Sequence, residues 1–110
     1  KKLNHGEIMY LAAAIDGEGC LPVSHTKYPN IVIANTNLEW LKRIQKICNT
    51  GKIHIHDSYF KRGLRSKPGY VLRFRKWETY SILQQIYPYL IIKRDKASDL
   101  LEMFNIELGI

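Results

Sequence analysis

Cysteine, acidic residues and long apolar runs are all scarce in this chain. Two thiols, Cys20 and Cys48, occur in 110 residues. That is too few for a disulfide scaffold, and they lack metal-site spacing. Both are expected to be reduced, with Cys48 in the core. No apolar run approaches the roughly 20 residues a bilayer span needs. No signal-peptide pattern is legible in a chain that opens on Lys1. The expectation is an intracellular protein without a membrane partner. No low-complexity linker divides the chain, so residues 1–110 read as a single domain, long enough for one core. Acids number 10 against 17 Lys and Arg, and the resulting net charge of +7 favours an anionic partner without identifying it.

What is present has a clear order. Asn4 and Glu7 have capping-box spacing, and a helix from about Gly6 to Asp16 follows, with Ile8, Tyr10, Leu11, Ala14 and Ile15 as packing positions. Residues 20–27 and 31–36 read as two strands around a turn at Tyr28-Pro29-Asn30. Asn37 then caps a helix with Trp40, Leu41, Ile44, Ile47 and Cys48 at helical spacing, closed by Asn49-Thr50-Gly51. The pattern repeats. Ile53 to Ser58 and Tyr70 to Arg75 alternate, a helix from about Trp77 to Tyr87 stops at Pro88, and another runs from about Asp95 to Phe104. The order is α-ββ-α-ββ-α-α.

Alternation leaves one strand face buried and the other free. On the third strand Ile53 and Ile55 point inward, while His54, His56 and Ser58 point outward. On the fourth, Tyr70, Leu72 and Phe74 oppose Val71, Arg73 and Arg75. The free face therefore carries imidazole, hydroxyl and guanidinium groups, which read base edges and grip phosphates. Tyr59 to Lys76 holds seven cations and no acid, as many as the whole chain's net excess. Cations in a loop and on the polar face of a strand suit a ribbon lying in a DNA groove. Zinc is disfavoured at His54 and His56, because no third ligand stands at a familiar spacing and Asp57 points the other way.

The segment Leu11-Ala12-Ala13-Ala14-Ile15-Asp16-Gly17-Glu18-Gly19 is the most specific signal. Small side chains allow close helix approach, and two carboxylates separated by glycine follow directly. With Ile33-Ala34-Asn35-Thr36-Asn37 and Tyr89-Leu90-Ile91-Ile92-Lys93-Arg94-Asp95-Lys96-Ala97, it resembles the single-motif LAGLIDADG homing endonucleases over essentially the whole chain. The resemblance implies an α+β fold of αββαββα order, whose curved antiparallel sheet sits on DNA.

It also implies roles. Glu18 stands at the position of the family's metal-binding carboxylate, with Gly17 beside it, and the cofactor is Mg²⁺ or another divalent cation. Ala13 and Gly17 take the family's closely packed positions. With Leu11, Ala14 and Asp16 they form the expected homodimer interface, a two-fold contact that brings two Glu18 side chains together. Ala34 stands where relatives carry a polar, water-ordering residue, leaving Asn35 or Asn37 to substitute. Lys93 is the first choice for the active-site cation and Arg94 the second, although strict register selects Asp95. Expected DNA contacts are Ser24, Thr26, His54, His56, Ser58, Arg73 and Arg75 on strands, with Lys27, Tyr28, Arg62, Arg65 and Lys67 in loops. The implied activity is metal-dependent double-strand cleavage of a long, near-palindromic DNA site. An RNA-splicing maturase and a non-cleaving DNA-binding regulator are the alternatives on the same fold.

Overall fold

A reciprocal cap sets the entry into the first helix. The Asn4 side chain accepts from the Glu7 N–H at 2.8 Å, and the Glu7 carboxylate accepts from the Asn4 N–H at 3.0 Å. This is a capping box with Asn replacing Ser or Thr. The computed structural model describes residues 1–21, 29–56 and 69–110. In it this helix, α1, spans His5–Glu18 and passes straight into strand β1, Gly19–Cys20. Gly19 makes the abrupt junction possible, since a Cβ there would lie 2.8 Å from both the Cα and the carbonyl oxygen of Ile15.

The remaining elements are β2 (Val32–Asn35), α2 (Leu38–Cys48), β3 (Lys52–His56), β4 (Gly69–Arg73), α3 (Lys76–Ile86), a 3₁₀ turn (Tyr87–Tyr89) and α4 (Arg94–Leu108). Capping residues bound α2 as the sequence predicts. Asn37 accepts from the Trp40 N–H at 3.1 Å, and Asn49 closes the helix in the left-handed conformation at φ 55°. Pro88 lies in the 3₁₀ turn and ends α3. By contrast α4 outruns its predicted end at Phe104. Its last turn is tied to α3 by Tyr80 donating to Asn105 at 2.9 Å and by the Lys76–Glu107 ion pair, contacts that no local pattern reveals.

All strand neighbours are antiparallel, in the order β1-β2-β4-β3. Helices α1 and α2 pack on one side of this sheet, and α3 packs against α1 and α4. Gly19, Ile33, Leu72 and Ile53 form a cross-strand row facing the helices. Behind it lie the buried Leu11, Ile15, Leu41, Ile44, Phe74, Leu83, Ile86 and Leu100. Each such side chain contributes roughly 1.5–3 kcal/mol on burial, against about 1 kcal/mol for a cap. Apolar burial, rather than capping, therefore holds helices to sheet. Thr79 is a buried polar residue, and its hydroxyl accepts from the Ile31 N–H at 2.9 Å, fastening the start of β2 to α3.

Ile55 departs from expectation. It lies on the inward side opposite Tyr70 but is 58% exposed. It sits toward the far end of an edge strand, where the helices give less cover. Tyr10 is also displaced from the predicted core, and its hydroxyl accepts instead from the Trp40 indole N–H at 2.7 Å. Among the described residues no helix is long and apolar enough to cross a membrane.

Candidate metal-binding carboxylate and nucleic-acid interface

Helix α1 divides its residues between two faces. Leu11, Ala12, Ala14 and Ile15 are buried in the protomer, whereas Met9, Ala13 and Gly17 recur every fourth residue on an exposed stripe. This corrects two interface assignments. Leu11 has no exposed surface and Ala14 only 8%, so both belong to the protomer's own core. Ala13 and Gly17 remain open, and a Cβ built on Gly17 meets nothing within 4 Å.

Asp16 is half-buried and makes contacts within the protomer. Its carboxylate accepts from the N–H groups of Ile91 at 2.7 Å, Ile92 at 3.1 Å and Lys93 at 3.0 Å, and the Lys93 ammonium donates to the Asp16 main-chain carbonyl at 2.7 Å. The Asp16 carboxylate thus works inside the protomer. Lys93 is brought to the end of α1 that also carries Glu18. Its neighbour Arg94 lies instead over the Tyr87 ring at 5.6 Å, and Asp95 is in the first turn of α4.

Glu18 is exposed, the last residue of α1, and has no ion pair among the described residues. From the Gly19–Ile33 pair, one step along each strand leads to Glu18 and to Ala34. Ala34 is exposed and apolar there. Asn35 does not replace it, because it falls on the same side of β2 as Ile33 and its Oδ1 accepts from the Asn37 N–H at 2.8 Å. Asn37 is likewise spent on the α2 cap. The Asn-x-Asn spacing that resembled a catalytic replacement is turn and cap chemistry.

The free face of the sheet is organised in cross-strand rows. One contains Cys20, Val32, Arg73 and Lys52, and the next Ala34, Val71 and His54. Arg73, Lys52 and His54 are exposed, and so is Arg75 at the entry to α3. A cavity of about 350 Å³ is lined by Thr50, Gly51, Lys52, Arg73, Arg75 and Glu78. Glu78 is committed elsewhere, accepting from the Thr50 hydroxyl and from the Arg75 N–H, so the pocket offers anions three cations. Sequence reasoning missed Lys52. Its signal was two-residue spacing from His54, one step before the stretch taken as the strand. The main chain of His56 is in β3, paired with Gly69. Ser24, Thr26, Lys27, Tyr28, Ser58, Arg62, Arg65 and Lys67 lie outside the described residues. A larger cleft of about 830 Å³, bordered by α1 and α2, has mixed charge, with Lys1 paired to Glu7 and Lys42 to Glu39.

No group of three His, Cys, Asp or Glu side chains suited to a metal occurs among the described residues. One protomer offers the Glu18 carboxylate and the main-chain oxygen of Gly17 at the helix end, both hard donors. Cys48 takes no part in such chemistry, since burial pushes its thiol up to about 12.

Neither a family model nor a curated protein matches this sequence. Solved structures do. The homing endonuclease I-CvuI, in complex with the I-CreI target, matches with a TM-score of 0.70 at 20% identity, over 94% of this chain and 71% of that one. The archaeal intron-encoded homing endonuclease I-Vdi141I, complexed with DNA, gives 0.71 at 18% identity, over 94% and 70%. The LAGLIDADG meganuclease I-CpaMI, bound to uncleaved DNA, gives 0.59 at 18% identity, over 98% of this chain and 39% of that one. At these identities the likeness establishes the architecture: the chain has the LAGLIDADG homing-endonuclease fold.

Proposed function

We propose that this protein is a site-specific DNA endonuclease that works as a homodimer and cuts both strands of a near-palindromic site in a divalent-metal-dependent reaction. One observation carries the reading. An exposed carboxylate, Glu18, ends α1 where that helix joins a sheet whose free face displays Arg73, Lys52 and His54. The solved structures that share the fold are named as homing endonucleases, several of them bound to DNA.

Two copies would supply one metal-binding carboxylate for each strand cut. A single protomer supplies one carboxylate and one orphan carbonyl, too few protein ligands to fill the six positions around Mg²⁺ without water, phosphate or a second subunit. Pairing through the open Ala13–Gly17 stripe would bring two Glu18 groups to the two-fold axis. An all-oxygen donor set suits a hard cation such as Mg²⁺ better than zinc, whose sites are mostly built from Cys and His. A bound divalent ion would supply charge neutralisation at the scissile phosphate and a more acidic water.

The chain's own residues do the rest. Glu18 and the Gly17 carbonyl would hold the cation. The Lys93 ammonium stands at the same helix end, available to offset the charge that accumulates on the phosphate. Arg73 and His54 face base edges, Arg73 being suited to bidentate pairing with guanine. Lys52 and Arg75 grip the backbone and set register without reading sequence.

The test uses Glu18→Gln, incubated with Mg²⁺ and a randomised duplex library whose cut ends are sequenced. Wild type is expected to produce discrete cuts within a palindrome-like site. The variant should keep DNA affinity and lose scission. Cleavage that persists in the variant refutes the metal assignment, and wild-type binding without scission favours the regulator.

A further inference from the structure

We infer that Asp16 is a positioning residue for Lys93: it holds that lysine against the end of α1 and never touches the reacting phosphate. As an account of cleavage this rests on the endonuclease reading, but as an account of the lysine it stands on geometry alone.

The end of α1 and the segment leading into α4 are tied to each other by one residue pair. Helix α1 has no basic residue in its last turn, and the carbonyls there have no partner within the helix. Lys93 supplies a donor, its ammonium 2.7 Å from the Asp16 carbonyl. Helix α4 begins after Lys93, whose side chain makes no capping bond. Asp16 instead ties down the segment that leads into α4, its carboxylate taking the consecutive N–H groups of Ile91, Ile92 and Lys93. Lys93 is therefore pinned twice by one residue, at its main chain and at its ammonium.

Packing does not provide an alternative anchor. Between buried Leu90 and buried Ala97 no side chain is buried, and Ile91 and Ile92 are 85% and 75% exposed. With the carboxylate removed, three adjacent N–H groups lose their acceptor, and no buried side chain between Leu90 and Ala97 holds the segment's course. Glu18 lies two residues beyond Asp16 on the same helix, so the clamp fixes where the ammonium stands relative to the metal-binding carboxylate.

The experiment compares wild type with Asp16→Asn, which keeps the volume and one acceptor oxygen. Lysines are reductively methylated under native conditions and quantified by mass spectrometry, with exposed Lys96 as the internal reference. Lys93 should react more slowly than Lys96 in wild type, and several-fold faster in the variant while Lys96 is unchanged. Single-turnover cleavage should fall about tenfold or more with KM for DNA unchanged, the cost of a misplaced group. Introducing Asp16→Asn into a Lys93→Ala background should cause no further loss. Unchanged Lys93 labelling, or additive losses in the double variant, overturns the inference even if the protein cuts DNA. Faster Lys93 labelling in a protein that cuts no duplex leaves the clamp standing and ends the endonuclease reading instead.

Discussion

Single side chains carry duties here that their chemistry alone does not disclose. Thr79 is helical, yet its hydroxyl is the acceptor for the Ile31 N–H across to β2. Thr79→Val preserves the shape and removes the acceptor, leaving a buried donor unpaired at a cost of about 1–3 kcal/mol. Denaturant unfolding should register that loss, with Thr79→Ser losing less. Cys48 gives a pH signature. Its thiol is raised from 9.0 to about 12 by burial, so the native state favours the neutral form. The sign follows from linkage: this contribution is fully present below pH 9 and is lost progressively up to about pH 12, as the unfolded chain becomes thiolate. Stability curves of wild type and Cys48→Ala should therefore differ in slope within that window and run parallel below it. Native alkylation should reach exposed Cys20 and spare Cys48.

Among the elements, the α1–β1 junction has two glycines with opposite consequences. Gly17→Leu places its side chain in open space within the protomer, and it replaces a residue about 1 kcal/mol worse than alanine in helices. Folding should be intact or improved. Sedimentation should show a monomer, because the proposed partner needs that surface; a persistent dimer would refute pairing through the Ala13–Gly17 stripe. Gly19→Ala forces a Cβ to within 2.8 Å of Ile15 backbone atoms, an overpacking that costs roughly 1–3 kcal/mol. Thermal unfolding should separate the two variants cleanly. The elements were largely legible beforehand. Asn4 with Glu7, Asn37, Asn49 and Pro88 are local signals that act within four residues, and each bounds a helix where expected. Asn35 shows the limit. Its place in the motif suggested catalysis, but a side chain that short satisfies its own turn before anything distant.

Across the whole molecule, register turns scattered cations into a surface. Lys52 and Arg73 are 21 positions apart in sequence and directly opposite each other between β3 and β4. Arg73→Ala is expected to relax specificity at one base step by roughly 1–3 kcal/mol if its contact is bidentate. Lys52→Ala should weaken binding evenly across sequences and reduce the salt slope by about 1. Competitive binding to a panel of single-base variants, repeated at several salt concentrations, distinguishes the two roles. Periodicity, caps and charge by themselves determined the element order, the inward placement of Leu72 and Ile53, and the exposed carboxylate after a small-residue helix. These depend on neighbours within a turn or a strand, where spacing dictates geometry. Only the tertiary structure decided that Leu11 and Ala14 face inward, that the Asp16 carboxylate closes on residues 91–93, and that Lys52 stands beside Arg73. Those outcomes depend on which surfaces meet after collapse, and a contact spanning 75 or more residues leaves no trace in local spacing.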